Sequence, residues 1–439
     1  MVGQQIQLAA TTNATGPVTW SSSNTAIAIV DATGLVMALG LGQVTITATS
    51  GEASGTAALT TTTGILFNAI SAGDNHTCGL TPAGVAYCWG DNSSGQLGNG
   101  TTTNSSVPVP VSGALSFAMI GAGGQQTCGV IGTPMNYSGG TMYCWGNNSS
   151  GQLGNGTTSN STTPSLVVGG LVFSAVSVGG KHVCGEIVGD TDLYCWGDNS
   201  FGQLGNGTMT NSSVPVPVTA GIYNVLIKYA SAGASHTCAG AAGHNGLEMY
   251  SAAVCWGDNS SGQLGNGTTT NSAVPVATST YVGPQFSAGT LFTCAYTAAL
   301  PGVACFGNNG SGQLGNGATT NSAVPVPVAS ALTFETVSAG DSHTCGLSLY
   351  GIAFCWGNDS SGQLGNGTTT NSATPVAVAG SLDFVMVSAG GSHTCGVTNY
   401  RASPTYSGAV YCWGDNTYGQ LGNSWSTSSS LPVNVAGGA

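Results

Sequence analysis

The sequence predicts an all-β protein, a seven-bladed β-propeller preceded by a small immunoglobulin-like β-sandwich. Three observations carry this. A phrase first complete at Cys88 to Gly100, CWGDNSSGQLGNG, recurs with small changes so that seven copies fill most of the chain. The second cysteines of the copies, Cys88, Cys144, Cys195, Cys255, Cys305, Cys355 and Cys412, are spaced by 56, 51, 60, 50, 50 and 57 residues, a period that marks propellers, solenoids or arrays. Residues 1–63 contain neither the phrase nor any cysteine, so a different unit stands there.

The first unit alternates apolar and polar residues in short runs, as in VTWSSSN, GLV and VTITATS, separated by Gly, Asn and Ser. That pattern predicts short strands packed in a sandwich. These segments resemble the bacterial immunoglobulin-like domain of group 2. The resemblance implies one more strand before VGQQIQL, so either more chain is expected to precede Met1 or a neighbouring molecule is expected to supply the strand that the domain lacks here. TTTT at Thr60 to Thr63 is the only candidate linker to the second unit.

Within each copy, segments such as FNAISAGDNHTCGL and GVAYCWG carry the β-branched and aromatic residues of strands, and VPVPV reads as an edge strand bearing prolines. DNSSGQLGNG between them holds the residues of tight turns. Three or four short strands per copy make one propeller blade. The linked motifs SAG-x-x-H-T-C-G and Y-C-W-G-D-N-x-x-G-Q-L-G-N-G resemble the repeats of the regulator of chromosome condensation, over residues 64–439. The resemblance implies a seven-bladed propeller. If each PVPV strand formed the outer edge of the following blade, LPVNV at Leu431 to Val435 would return to complete the first blade and close the ring.

All fourteen cysteines fall in the seven copies, two in each. Pairing the first copy about Ala83 sets Cys78 opposite Cys88 on adjacent antiparallel strands, at a separation that suits a disulfide. The same logic pairs Cys128 with Cys144, Cys184 with Cys195, Cys238 with Cys255, Cys294 with Cys305, Cys345 with Cys355 and Cys395 with Cys412. Zinc is the competing reading. It is disfavoured because the spacings vary between 10 and 17 and no C-x-x-C pair occurs. Disulfides imply an oxidising, extracellular or cell-surface location.

Composition excludes several function classes. The chain of 439 residues is 41% hydrophobic and only 4% charged, with a net charge of −12. Its three cations, Lys181, Lys228 and Arg401, are scattered, so a nucleic-acid partner is not expected. No apolar run approaches the roughly 20 residues of a spanning helix, and MVGQQIQLAATT is not a secretory leader, which is expected to lie outside this sequence.

Two rings of residues invite chemistry. His76, His182, His236, His343 and His393 each precede a first cysteine by two positions, but Gln126 and Phe292 occupy the same slot, which favours hydrogen bonding to backbone inside each blade over metal binding. Trp89, Trp145, Trp196, Trp256, Trp356 and Trp413, with Phe306 as the substitute, read as inter-blade packing more readily than as a sugar-stacking ring. DNSSG lacks the carboxylates of a calcium loop. No catalytic constellation stands out, so no enzyme, cofactor or metal is expected.

A partner surface is sought where the copies vary, between the two cysteines of each copy. The long inserts there place Tyr137, Tyr250, Tyr400, Arg401 and Tyr406 as candidate binding residues. Sequons at Asn99, Asn104, Asn155, Asn206, Asn211, Asn259, Asn266 and Asn366 are candidate glycosylation sites. The expected function is an extracellular structural or adhesive surface protein, self-associating into a filament by strand donation to the sandwich. The alternative is a secreted module that binds a protein or glycan ligand through one propeller face. Nucleotide exchange on a small GTPase, which the family name implies, is a remote third, since paired cysteines and an extracellular address speak against it.

Overall fold

The computed structural model describes residues 5–13, 16–38, 42–61, 65–133, 138–189, 193–219, 225–244, 249–279, 283, 285–297, 302–330, 332–398 and 408–436. The chain divides into two compact units, residues 1–66 with 436–439 and residues 67–435.

The first unit contains β1 (Gln5–Gln7), β2 (Thr19–Ser22), β3 (Ala28–Val30), β4 (Leu35–Ala38), β5 (Gly42–Ser50) and β6 (Ala53–Thr61). They form two antiparallel sheets, ordered β1-β4-β3 and β2-β5-β6. Alternation along β5 turns Val44 and Ile46 inward, where they meet Ala28 and Val36, with Trp20, Leu8 and Leu59 half-buried around them. Four fully buried side chains make a small core.

The second unit is a seven-bladed β-propeller, each blade a four-stranded antiparallel sheet. The first blade is β7 (Ala69–Ala72), β8 (His76–Leu80), β9 (Ala86–Gly90) and β10 (Ser105–Pro110), in spatial order β10-β9-β8-β7. The others span 117–166, 173–217, 225–277, 286–327, 334–377 and 384–434. Every residue of β8 is buried, because the strand lies inside the ring with a neighbouring blade against each face. β10 is the outer edge. Its prolines, Pro108 and Pro110, offer no N–H to a further strand, and Pro215 and Pro217 repeat the device in the third blade.

The apolar core lies between successive blades. Cys78, Leu80, Ala86, Cys88 and Leu97 of the first blade pack on Phe117 and Trp145 of the second. Within the second blade, the Phe117 and Trp145 rings are 5.8 Å apart at a tilt.

One expectation is corrected. Each PVPV strand pairs with the third strand of its own copy, as Val109 does with Cys88, and the final strand Ser429–Asn434 pairs with Val410–Gly414 of the seventh blade. The physical reason is that Gly95 and Gly98, at φ of +86° and +66°, turn the QLGNG loop back beside the strand that it just left. No strand is exchanged at the ring closure; side chains and loops make it, as described next.

Candidate interaction face

Successive connections in a four-stranded antiparallel sheet fall at alternate ends, so the ring has two unlike faces. The turn face carries the SAG turns between strands one and two and the DNxxGQLGNG loops between strands three and four. The hairpin face carries the hairpins between strands two and three and the connectors between blades.

On the turn face the repeated residues stitch each blade to the next. Ser71 Oγ accepts from the N–H of Ala122, and the pattern continues with Ser177 and Ala232, Ser231 and Ala288, Ser287 and Ala339, Ser338 and Ala389, and finally Ser388 and Ala72. Where Gly121 replaces the serine, a Cβ would meet Val178 at 2.8 Å. Backbone bonds run beside these, such as Asp74 N–H to Gly123 O at 3.1 Å and Gly391 N–H to Gly73 O at 3.1 Å.

Deeper in, Trp145 Nε1 and Thr127 Oγ1 both donate to the Gln96 carbonyl of the preceding blade, each at 2.9 Å. Because the Thr127 hydroxyl proton is used there, its oxygen can only accept from His76 Nε2, also at 2.9 Å. The same reasoning applies to His182 with Thr237, His236 with Thr293, His343 with Thr394 and His393 with Thr77. All five rings therefore carry the proton on Nε2, and all five Nδ1 atoms are buried without a partner. Burial holds the pKa of His76 and His182 down to about 4, and that of His236, His343 and His393 to about 3. The expected backbone partner inside the same blade is thus corrected to a threonine hydroxyl of the next blade. Where the third blade has Val183 instead of threonine, Gln126 of the second reaches the Gly179 carbonyl at 2.8 Å.

The SAG turns surround an axial opening of about 220 Å3. Asp74 and Asp341 line it. Burial, with the charge of Asp341 second, pushes Asp74 up to about 7. Burial also raises Asp341, opposed by a 2.6 Å hydrogen bond from Thr290 Oγ1. Asp341 meets solvent within the opening. Among the described residues no group of three or more His, Cys, Asp or Glu is placed to hold a metal.

All seven cysteine pairs form disulfides between strands two and three of their own blades, with Cα separations of 4.0 to 4.1 Å. Every sulfur is buried. Each disulfide locks the two strands that end in a hairpin on the hairpin face.

That face differs from blade to blade. Tyr137, Tyr400, Arg401 and Tyr406 lie outside the described residues, and so does the side chain of Tyr250, whose backbone pairs with Gly243. Among the described residues the face presents Val85, Val188, Leu349, Tyr350 and Ile352 to solvent. Tyr350 is 84% exposed at the tip of a tight hairpin closed by Gly351 N–H to Ser348 O at 3.0 Å. The sequence reading, which looked to insert length, missed this site because the hairpin is short; LSLYGI, with three large apolar residues about one turn, was the available signal.

Most sequons are on the turn face. Asn99, Asn155, Asn206, Asn266 and Asn366 are half-buried, with their Oδ1 atoms accepting from the hydroxyl of the sequon threonine, while Asn104 and Asn211 are exposed. Asn259 is a correction. It is fully buried, and its Nδ2 donates to the carbonyls of Thr268 and Thr270, so the folded protein leaves no room for a glycan there.

The family model "Regulator of chromosome condensation (RCC1) repeat" matches residues 83–130, 139–185, 190–239, 303–347, 350–397 and 407–439, which is more than half of the chain. The chain belongs to the RCC1 repeat family. A second RCC1 repeat model matches 67–96, 173–203 and 334–363, and the bacterial Ig-like domain (group 2) model matches 2–61. Each long RCC1 match runs from the third strand of one blade into the second strand of the next, so the family repeat is offset from the structural blade by half a unit. Curated relatives include the ultraviolet-B receptor UVR8 of Arabidopsis thaliana, 31% identical over 48% of this chain and 46% of that protein. The X-linked retinitis pigmentosa GTPase regulator of Canis lupus familiaris is 34% identical over 35% of this chain and 15% of that protein. The chain thus spans less than half the length of these relatives. Among solved structures, human WBSCR16 aligns with a TM-score of 0.64 at 21% identity, covering 76% of this chain and 86% of that one. Prp20p of Saccharomyces cerevisiae aligns at 0.61 and 20%, covering 74% and 80%. Both likenesses are of fold.

Proposed function

We propose that this RCC1-repeat protein is an extracellular, non-enzymatic surface protein whose propeller presents its hairpin face to a macromolecular partner. The observation that carries the reading is the set of seven buried disulfides, one behind each hairpin, in a chain that also bears a bacterial Ig-like domain. Disulfides of this kind form and persist in oxidising compartments. A disulfide-locked hairpin holds Leu349, Tyr350 and Ile352 in place before a partner arrives, which lowers the ordering cost of binding. The turn-face sequons other than Asn259 fit the same address as glycan acceptors. The test is adhesion of the purified full chain to the surface of its source cells. Alanine at Leu349, Tyr350 and Ile352 is expected to abolish adhesion, and unchanged adhesion overturns the assignment of the face.

A second reading, assembly into a filament by strand donation, is favoured by a groove of about 330 Å3 in the sandwich. Leu8, Val18, Trp20 and Ile46 line it, beside the edge strand β6. An added strand would cover Leu8, Val18 and Trp20, which are half-buried, whereas Ile46 is already buried. Electron microscopy of purified protein is expected to show linear polymers, and dispersed monomers at high concentration remove this reading.

A further inference from the structure

The seventh blade departs from the repeat on the turn face, in a way that packing does not explain. Tyr418 stands where five blades have serine and the third has Phe201, itself exposed, and Trp425 stands where five have the threonine of N-G-T and one has alanine. Both aromatic side chains point to solvent, at 41% and 68% exposure. The other six tryptophans of the propeller are fully buried, so Trp425 is the exception within the ring. Exposing such a ring forfeits the stabilisation that its burial gives the other blades.

The same loop bears a second local cost. Ser424 holds a left-handed backbone, φ +70°, at a position that is glycine in every other blade. Its N–H is tied to the Ser106 carbonyl at 2.9 Å, which holds the loop against the first blade. Asn416 Nδ2 donates to the Trp425 carbonyl at 2.9 Å, and Asn423 Oδ1 accepts from the Trp425 N–H at 3.2 Å. The backbone under the exposed ring is thus fixed from both sides. A non-glycine residue in this region is a strain that commonly accompanies function.

The surroundings choose the ligand class. Thr417, Ser424, Ser426, Thr427 and Ser428 are exposed in the same loop as the two rings, and Asp415 accepts from the Thr417 and Ser428 hydroxyls at 2.7 and 3.3 Å. Between 415 and 430 no large aliphatic side chain is exposed, and Leu431, 49% exposed on the edge strand, leans toward Gly367 of the sixth-blade loop, so the residues of this loop that meet solvent with the rings are chiefly hydroxyl-bearing. Flat rings amid hydroxyls match a sugar, whose C–H face stacks on an aromatic ring while its edge hydrogen-bonds. The loop also lacks the N-G-T sequon, since Asn423-Ser424-Trp425 replaces it, so no glycan of its own would cover the rings.

We infer that the seventh-blade loop is a carbohydrate-binding site, in which Trp425 and Tyr418 stack against pyranose rings of a neutral polysaccharide. This site is on the opposite face from the hairpins and is independent of the function proposed above.

The experiment titrates the full chain with cellotetraose, chitotetraose and laminarihexaose. Binding is followed by saturation-transfer NMR and by protection of tryptophan fluorescence from iodide, which reaches exposed Trp425 in preference to the buried rings. At least one oligosaccharide is expected to bind. Trp425→Thr and Tyr418→Ser, each of which restores the residue found in five other blades and so preserves folding, are expected to weaken binding by about tenfold or more. Trp425→Phe is expected to retain part of it. Tyr350→Ala leaves sugar binding unchanged, which separates this site from the hairpin face. Absence of binding for all three probes at millimolar concentration overturns the inference, as does binding that persists in Trp425→Thr. Loss of self-association in Trp425→Thr without any sugar binding also overturns it, in favour of a protein contact.

Discussion

His393 donates from Nε2 to the Oγ1 of Thr77 across 2.8 Å of space and 316 residues of sequence. This bond joins the seventh blade to the first with the same geometry that joins, for example, the third to the fourth. Thr77 Oγ1 in turn donates to the Gln420 carbonyl at 3.1 Å, and Trp89 Nε1 donates to the same carbonyl at 2.9 Å. Four residues thus clasp the ring where its ends meet.

Thr77→Val keeps the shape of the side chain but leaves the His393 Nε2–H buried without a partner. The expected cost is about 1–3 kcal/mol of stability, read as a lower thermal midpoint, with Thr77→Ser restoring most of it. Equal midpoints for the valine variant and the parent would show that the clasp contributes nothing.

The five buried histidines make the fold sensitive to acid. Their folded pKa values, about 3 to 4, lie below the ordinary 6.5, so the unfolded chain binds more protons in between. Their contribution is complete above pH 6.5 and is lost progressively as the pH falls to about 3. Asp74, raised to about 7, acts in the opposite sense, because near pH 5 it is protonated in the folded state and ionised in the unfolded one. Asp341, also raised by burial, acts in the same sense as Asp74, so unfolding near pH 5 should take up protons, but fewer than the five histidines alone would bind. Calorimetry in buffers of different ionisation enthalpy measures the number, and zero uptake contradicts the neutral state of the buried rings.

Each disulfide closes a short loop. Removing Cys345–Cys355, separated by 10 residues, as the double serine variant is expected to cost about 2.7 kcal/mol, and Cys395–Cys412, separated by 17, about 3 kcal/mol. Since all fourteen sulfurs are buried, a mild reductant should leave them intact until a denaturant opens the blades. Mass spectrometry after alkylation counts the thiols released under each condition.

Gly98 holds φ +66° beneath the indole of Trp145, where an added Cβ would fall 2.6 Å from Nε1. Gly98→Ala should therefore be among the most damaging single changes in the ring. Trp145→Phe should be mild, about 1 kcal/mol, since Phe306 fills the same slot of the fifth blade without an N–H. Chemical denaturation of the two variants side by side compares the costs.

The sequence made the blade number and the cysteine pairs readable because both depend on residues within one copy. Cys78 and Cys88 are ten positions apart and a hairpin is the shortest way to join them. Contacts between copies were harder to see. His76 meets Thr127, 51 residues away, and nothing in the spacing of SAG-x-x-H-T-C-G tells whether a side chain turns to its own blade or to the next. The paired departure of Gln126 and Val183 held that information, since a loss of the threonine hydroxyl accompanies a loss of the histidine that would use it. The ring closure was misread for a related reason. A proline-bearing edge strand looks the same whether it borders its own sheet or its neighbour, and the glycines of QLGNG decide between them. Tyr350 escaped notice because a short hairpin leaves no trace in repeat length.

Because every blade is woven from one continuous stretch of chain, no junction in the circle is special. Opening the backbone at the connector before Phe334 and joining the former ends would shift the seam without unpicking any sheet, so a circular permutant should refold. By the same token, gene duplication could add or delete entire units, leaving no orphan strand behind.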